Sequence, residues 1–456
     1  MDSKTYIDGY IERARMAQKE FESYSQEQVD ELVMAIAKTV YDNAEYLAKI
    51  AVEETEMGVL EDKIAKNKGK SSIIWNSLKG KKSVGIIERD EQTGIVKVAK
   101  PVGVAAAITP CTNPIVTPMS NAMFALKGRN AIVITPHHRA IKCSTKTVEL
   151  MNEALEKLNA PKHLIQILDQ QSRENTRTLI SSADIVIATG GAGMVKAAYS
   201  SGKPALGVGA GNVQCIIDRD VDFAEAVPKV IAGRIFDNGI ICSGEQSAII
   251  PADKYQDIID EFVKNGAYLV NNPKEKEAFR KAIFVDGVMN RDAVGKRVHE
   301  IGRLAGVDLP KDIRVIIIEA EGPGERDLLS KEKMCPVLAI YRYDDFKDAV
   351  EIAKENLELE GKGHSVAIHS NNRENIEYAG NELSVSRFVI NQICASSAGG
   401  SYYNGLAPTN TLGCGTWGNN SISENLDYKH LINISRIAYY MPDNPVPTED
   451  ELWSHN

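Results

Sequence analysis

Apolar residues over the first ninety positions recur at helical intervals. Ile7, Tyr10, Ile11, Ala14 and Ala17 fall on one face of a helix. Ser25 and Gln28 form a capping-box pair ahead of Val29, Leu32, Val33, Ile36 and Val40, a second amphipathic run. A polar patch at 88–93 then separates two strand-like stretches, which predicts a protruding hairpin. From Val102 the pattern changes. Short apolar runs at 104–109, 131–135, 164–168 and 185–189 predict buried strands, with crossover helices at 120–128, 144–158 and 174–181 between them. Such alternation implies a parallel sheet covered on both faces, with ligands at the carboxyl ends of its strands.

A second alternating region runs from about 232 to 422, with periodic segments at 246–250, 255–264, 314–319, 337–343 and 365–369. The stretch 431–440 alternates like an edge strand. The expected organisation is an α/β chain with one unit over 1–231, carrying the hairpin near 85–101, a second over 232–422, and a closing strand and tail over 423–456. No internal repeat or low-complexity linker separates them.

Composition narrows the function classes. At 456 residues, the chain exceeds what one core usually supports. Its 43% hydrophobic and 25% charged content is that of a globular protein. A net charge of −9 argues against a nucleic-acid partner, which needs cations to displace counterions. No stretch approaches the roughly 20 apolar residues of a membrane span. The mixed-charge first residues do not read as a signal peptide. Seven cysteines without a CxxC pair point to a reducing, cytoplasmic setting and to no metal cluster.

Several residues could carry chemistry. Cys242 lies in Asp237-Asn-Gly-Ile-Ile-Cys-Ser-Gly-Glu-Gln246, where a helical run gives way to a turn. A thiolate there would be a strong nucleophile, and Gly244 would let a ligand approach; a buried structural thiol is the bland alternative. Asn113, in Thr109-Pro-Cys-Thr-Asn-Pro114, follows a buried strand and could donate to an oxyanion or simply cap a turn. Thr189-Gly190-Gly191-Ala-Gly193 and Gly207-Val-Gly209-Ala-Gly-Asn212 are glycine turns that fail the GxGxxG fingerprint. Thr135-Pro-His137-His138-Arg139 is a basic cluster at a strand end that could meet a phosphate. His364 is a lone histidine.

Four blocks in order, Thr109–Pro114, Gly207–Asn212, Cys242 and Glu332-Lys-Met-Cys-Pro-Val337, resemble the aldehyde dehydrogenase superfamily over nearly the whole chain. Hydrolytic members usually carry a glutamate in the glycine block; here the matching position is Gly207 or Val208. That departure resembles the coenzyme A-acylating branch. The stretches 52–58, 238–247 and 411–418 look most like acylating succinate-semialdehyde dehydrogenases. Acylating sulfoacetaldehyde dehydrogenases and the aldehyde dehydrogenase halves of bifunctional enzymes are more distant.

The resemblance implies a nicotinamide domain, a catalytic domain holding Cys242, and an arm made by the hairpin and the closing strand that joins subunits into a homodimer or dimer of dimers. It implies Cys242 as nucleophile, Asn113 as oxyanion donor and His364 as an aid to acyl transfer. The expected cofactor contacts are Thr109, Pro110, Thr135, His137, His138, Arg139, Thr189, Gly190, Gly191, Gly193, Gly207, Gly209 and Glu332. NADP is expected at least as readily as NAD, with coenzyme A as co-substrate. Thr112, Ser243 and Ser401 are expected to line a pocket for an anionic aldehyde, with Arg387 either its charge partner or a structural ion-pair residue, and Ile393 shortening it. A hydrolytic aldehyde dehydrogenase and an inert nucleotide-binding relative are the rival readings.

Overall fold

The computed structural model describes residues 2–454. Four helices open the chain, Ser3–Phe21, Gln26–Asp42, Ala44–Thr55 and Leu60–Leu78. The expected capping box forms at the second: Ser25 Oγ accepts from the Gln28 N–H, and Gln28 Oε1 accepts from the Ser25 N–H. These helices pack on a five-stranded parallel sheet ordered Ile165–Ile167, Ala131–Thr135, Val104–Ile108, Ile185–Ala188, Ala205–Gly207. Chain order reverses between the third and fourth of these strands. That reversal opens a crevice at their carboxyl ends, bounded by Thr109 and Thr189.

A second, seven-stranded parallel sheet runs Ala267–Val270, Val315–Glu319, Val337–Tyr343, Glu245–Pro251, Val213–Ile217, Gly363–His369, Val385–Ile390. Its strands are apolar on both faces because each face covers a separate core. Ile216 and Ile249 lie in one, while Cys215, Ile217, Ala248 and Ile250 lie in the other. The strand Val213–Ile217 and the helix Phe223–Ile235 belong to this second layer. The chain therefore changes sheets near 208–212, not at 231. The glycine block caused the misplacement: it is the crossing point, and its loop has no periodicity to mark it.

The predicted hairpin is Gly85–Asp90 paired antiparallel with Ile95–Pro101. Asp90 accepts from the Gln92 and Thr93 backbone N–H groups and closes the turn. The closing strand Ile432–Ala438 adds to the same sheet beside Ile95–Pro101. Asn130 anchors the junction. Its Oδ1 accepts from Val102 and Gly103 N–H, and its Nδ2 donates to the Ala125 and Leu431 carbonyls. Among the described residues no helix is long and apolar enough to cross a membrane.

Candidate active site

The loop that carries Cys242 is shaped before it reaches the cysteine. The helix Phe223–Ile235 runs into a 3-10 turn, Phe236–Gly239, in which Asp237 and Asn238 adopt φ of 52° and 54°. Left-handed backbone at two successive non-glycine residues costs energy and persists only if the surroundings hold it. They do. Asn238 Nδ2 donates to the Gly58 and Gly295 carbonyls at 3.2 and 2.9 Å. Asp237 Oδ1 accepts from the Val59 N–H at 2.9 Å, and Oδ2 accepts from Lys63 Nζ at 2.9 Å and Lys66 Nζ at 2.6 Å. Gly58, at φ +81°, passes so close that a Cβ would stand 2.0 Å from Asp237 Oδ1.

Cys242 follows, just ahead of the strand Glu245–Pro251, under a turn closed by the Gly244 N–H on the Ile241 carbonyl. Gly211 of the glycine block lies against its backbone: a Cβ there would fall 1.9 Å from the Cys242 carbonyl oxygen. Here the glycine serves close approach of two chains.

Two cavities meet at this cysteine. One, of about 670 Å³, lies between the carboxyl ends of the five-stranded sheet and the loops that enter the amino ends of the seven-stranded sheet. The other, of about 380 Å³, lies against the helix Leu60–Leu78 and the segment 395–403. Asn113, Cys242 and Asn410 line both.

Most of the residues expected to hold a dinucleotide line the larger cleft: Thr109, Pro110, Thr135, His137, His138, Thr189, Gly190, Gly191, Gly193, Gly209 and Glu332. Two expected members do not. Arg139 turns away and donates from Nη2 to the Thr55 carbonyl at 2.8 Å. Gly207 is buried at the end of its strand, packed against Val195 and Tyr199. The loop residues Gln171, Ser172 and Arg173 line the cleft and were not anticipated, because a short polar turn carries no periodic signal.

In the smaller cavity, Ser243 and Ser401 are present as expected. Thr112 lines the larger cleft instead. Arg387 lines neither cavity. It is buried and donates to Ser365 Oγ, Asn425 Oδ1 and the Gly413 and His364 carbonyls, with no ion-pair partner among the described residues. Ile393 precedes the short helix Cys394–Ser397 and lines neither cavity, so it does not shorten the pocket. His364 lies buried in the strand Gly363–His369 with neither ring nitrogen hydrogen-bonded, away from both cavity walls. Burial, and then Arg387, keep its imidazole well below the usual range and hence neutral.

The helix Leu60–Leu78 supplies residues that were missed. Lys66 Nζ donates to Asn113 Oδ1 at 2.8 Å as well as to Asp237. Lys70 Nζ donates to the Gly399 and Thr409 carbonyls at 2.8 and 3.2 Å. Both line the smaller cavity. Lys63, Lys66 and Lys70 sit at positions i, i+3 and i+7 with Asn67, one helix face. In a helix so rich in lysine that face reads as solvated. Asn67, which is buried on the same face, gave no signal either, because asparagine is usually exposed.

Electrostatics give the site its resting state. Burial, then Glu332 and Cys414, push the Cys242 thiol up to about 12. Burial, then Glu360, push the Glu332 carboxyl up to about 8. Lys66 and Lys70 are each drawn down to about 8 by burial first. His137 is drawn down to about 4 by burial, then by His138 and Arg139, so it is a neutral ring at pH 7. Among the described residues Glu332 is the one carboxylate that lines either cavity.

A cleft at the switch point of a parallel sheet, a cysteine on its floor and a carboxamide beside it define a thiol-dependent dehydrogenase of aldehydes. Residues 2–295 match the model of the aldehyde dehydrogenase family. The chain is 56% identical to a succinate-semialdehyde dehydrogenase (acetylating) of Clostridium kluyveri, over 99% of this chain and 100% of that protein. It is 40% identical to a sulfoacetaldehyde dehydrogenase of an Acholeplasma species, over 97% and 93%. An acetylating aldehyde dehydrogenase of Geobacillus thermoglucosidasius superposes with a TM-score of 0.94 at 38% identity, over 98% of both chains. The chain belongs to the aldehyde dehydrogenase family, in its acylating branch.

A thiol so far above neutrality predicts how Cys242 reacts in the free enzyme. The thiolate fraction falls tenfold for each pH unit below the pKa, so alkylation of Cys242 by iodoacetamide should rise about tenfold per unit from pH 7 to 9. A plateau below pH 8 would show that the thiol is already ionised.

Proposed function

We propose that the chain catalyses the reversible, coenzyme A-acylating oxidation of an anionic aldehyde, with succinic semialdehyde the leading substrate and NADP the preferred hydride carrier. The observation that carries this reading is the meeting of two cavities at Cys242 and Asn113, with the apolar Val208 where a hydrolytic enzyme would hold its base.

The larger cleft fits a dinucleotide. A Cβ at Gly190, Gly191 or Gly193 would meet nothing within 4 Å, so this turn leaves its backbone open to a phosphate ahead of the helix Ala192–Tyr199. Glu332 stands in the cleft as an acceptor for ribose hydroxyls. When bound, the nicotinamide accepts or returns the hydride. The rest is done by the protein. The Cys242 thiol gives its proton to solvent, its Sγ forms a bond to the aldehyde carbon, and the carbonyl electron pair moves to oxygen. Asn113 Nδ2 and the Cys242 N–H stabilise that oxyanion. Loss of hydride leaves a thioester on Cys242. No carboxylate at Val208 activates water, so the thiol of coenzyme A takes the acyl group and its proton passes to the departing Cys242 sulfur. Thioester exchange is nearly isoenergetic, which makes the reaction reversible.

The smaller cavity favours an anion. Among the described residues no Asp or Glu lines it, whereas Lys70, Ser243, Ser397 and Ser401 do. Lys70 spends two of its three protons on backbone carbonyls. The third is available to a carboxylate or sulfonate. The preference for NADP rests on the lip of the larger cleft. No acidic residue follows the strand Ala131–Thr135, and Arg173 and Ser172 stand on the lip formed by 171–173. With Arg139 turned away and His137 neutral, Arg173 is the cation we assign to the ribose 2′-phosphate. Among the described residues the outer edge of Ile432–Ala438 is unpaired, which supports a homodimer or dimer of dimers built on that arm.

Four measurements test this. Product analysis should show acyl-CoA formation with coenzyme A and little free acid without it; steady acid release would favour the hydrolytic reading. Lys70→Met should cut kcat/KM for succinic semialdehyde about 10- to 100-fold, the usual worth of a hydrogen bond to a charged group, and leave butyraldehyde within about threefold. The KM for the anionic substrate should also rise as pH passes upward through about 8, where Lys70 loses its charge. Equal losses for both aldehydes would remove Lys70 from substrate recognition, and a sulfoacetaldehyde preference would change only the anion. Finally, Arg173→Ala should lower kcat/KM for NADP about 10- to 100-fold and leave NAD nearly unchanged; a wild-type preference for NAD would overturn the cofactor assignment.

A further inference from the structure

Asn113 has one acceptor end and one donor end of nearly the same shape, and only the donor end can stabilise an oxyanion. Something must therefore hold the carboxamide in one of its two orientations. Lys66 Nζ lies 2.8 Å from Asn113 Oδ1. A lysine ammonium has donors and no acceptor, so this contact admits only the oxygen and leaves Nδ2 as the free end of a side chain that lines both cavities together with Cys242. Among the described residues no protein acceptor takes the Nδ2 protons, which leaves them for a ligand.

Lys66 is itself fixed from the nucleophile's side. Its Nζ lies 2.6 Å from Asp237 Oδ2, on the turn five residues before Cys242, and its side chain is 8% exposed. Asp237 is held in turn by Lys63 and the Val59 N–H. Asn113 follows a strand of the five-stranded sheet, whereas Asp237 and Cys242 lead into the seven-stranded sheet. Lys66 bonds both sides.

We propose that Lys66 is a positioning residue for the oxyanion donor: it locks Asn113 with Nδ2 towards the reacting carbonyl and ties that geometry to the Cys242 turn through Asp237. A cation on Oδ1 also polarises the amide and makes Nδ2–H a better donor. Lys66 acts through Asn113, whereas Lys70 acts on the substrate's charge. The two lysines of one cavity wall thus have separable functions. The proposal rests on Asn113 as the oxyanion donor.

A double-mutant cycle in the intact enzyme tests it, with Lys66→Met, Asn113→Ala and the pair, each assayed with succinic semialdehyde and with uncharged butyraldehyde. Lys66→Met should lower kcat about 10- to 100-fold for both aldehydes, since the oxyanion is common to them, and leave KM and the NADP dissociation constant within about threefold. In the Asn113→Ala background the same substitution should cost less than about threefold more. If Lys66→Met fails to fold by its melting curve, Lys66→Gln takes its place under the same criteria, with Lys63 retained as the partner of Asp237. A loss confined to the charged aldehyde would make Lys66 a substrate contact and overturn the proposal. Full multiplication of the two losses would overturn it while leaving Asn113 as the donor. An Asn113→Ala enzyme of normal kcat would remove the oxyanion reading itself, and this proposal with it.

Discussion

A carboxylate sealed from water must be paired, and Asp237 is paired twice. Its side chain is fully buried, and among the described residues only Lys63, Lys66 and the Val59 N–H stand against the cost of that burial. Removing one partner of such a cluster leaves an uncompensated charge, typically worth about 3–5 kcal/mol. What the cluster secures is a left-handed turn that a free chain would not hold. That turn leads directly into Cys242, which lines both cavities. The opening helices supply the two lysines that hold this turn.

The same constraint explains how two parallel sheets share one site. The first sheet presents the carboxyl ends of its strands, with Thr109, Thr135 and Thr189 at the rim. The second presents loops entering the amino ends of its strands: Gly209 and Gly211 before Val213, Cys242 before Glu245, and Glu332 and Met334 before Val337. Chemistry therefore occurs where one sheet's outgoing loops face another's incoming ones. The glycine block is the covalent link between them, and Gly211 shows what it is for: a side chain there would collide with the Cys242 carbonyl.

The parts of this arrangement that follow local rules were legible in the sequence. The strand Ala131–Thr135 was read at both ends, and the hairpin and closing strand were recognised from alternation. Cys242, Asn113 and part of the cleft came from four short blocks whose order is more specific than any one of them, and the rest of the cleft from the stretches 135–139 and 189–193 at predicted strand ends. What escaped notice has a common cause. Lys66 and Lys70 are cations whose burial depends on a tertiary partner nearly two hundred or more residues away, Asp237 for one and the carbonyls of Gly399 and Thr409 for the other. Arg387, left open between charge partner and structural residue, and Ile393, expected to shorten the pocket, line neither cavity, because side chains on a strand and at a helix start point where the packing sends them. The change of sheet at 208–212 was obscured because a crossing loop has neither period.

The central claim is that Cys242 carries the acyl group and that coenzyme A, not water, exchanges with it. Mixing the enzyme with succinyl-CoA in the absence of NADPH, followed by peptide mass mapping, tests this directly. The account predicts a succinyl group on Cys242 and on no other cysteine, about one equivalent of coenzyme A released per active subunit, and reversal of the adduct when excess coenzyme A is added. A succinyl group on a different cysteine, or continuous release of succinate with no adduct at Cys242, would contradict it.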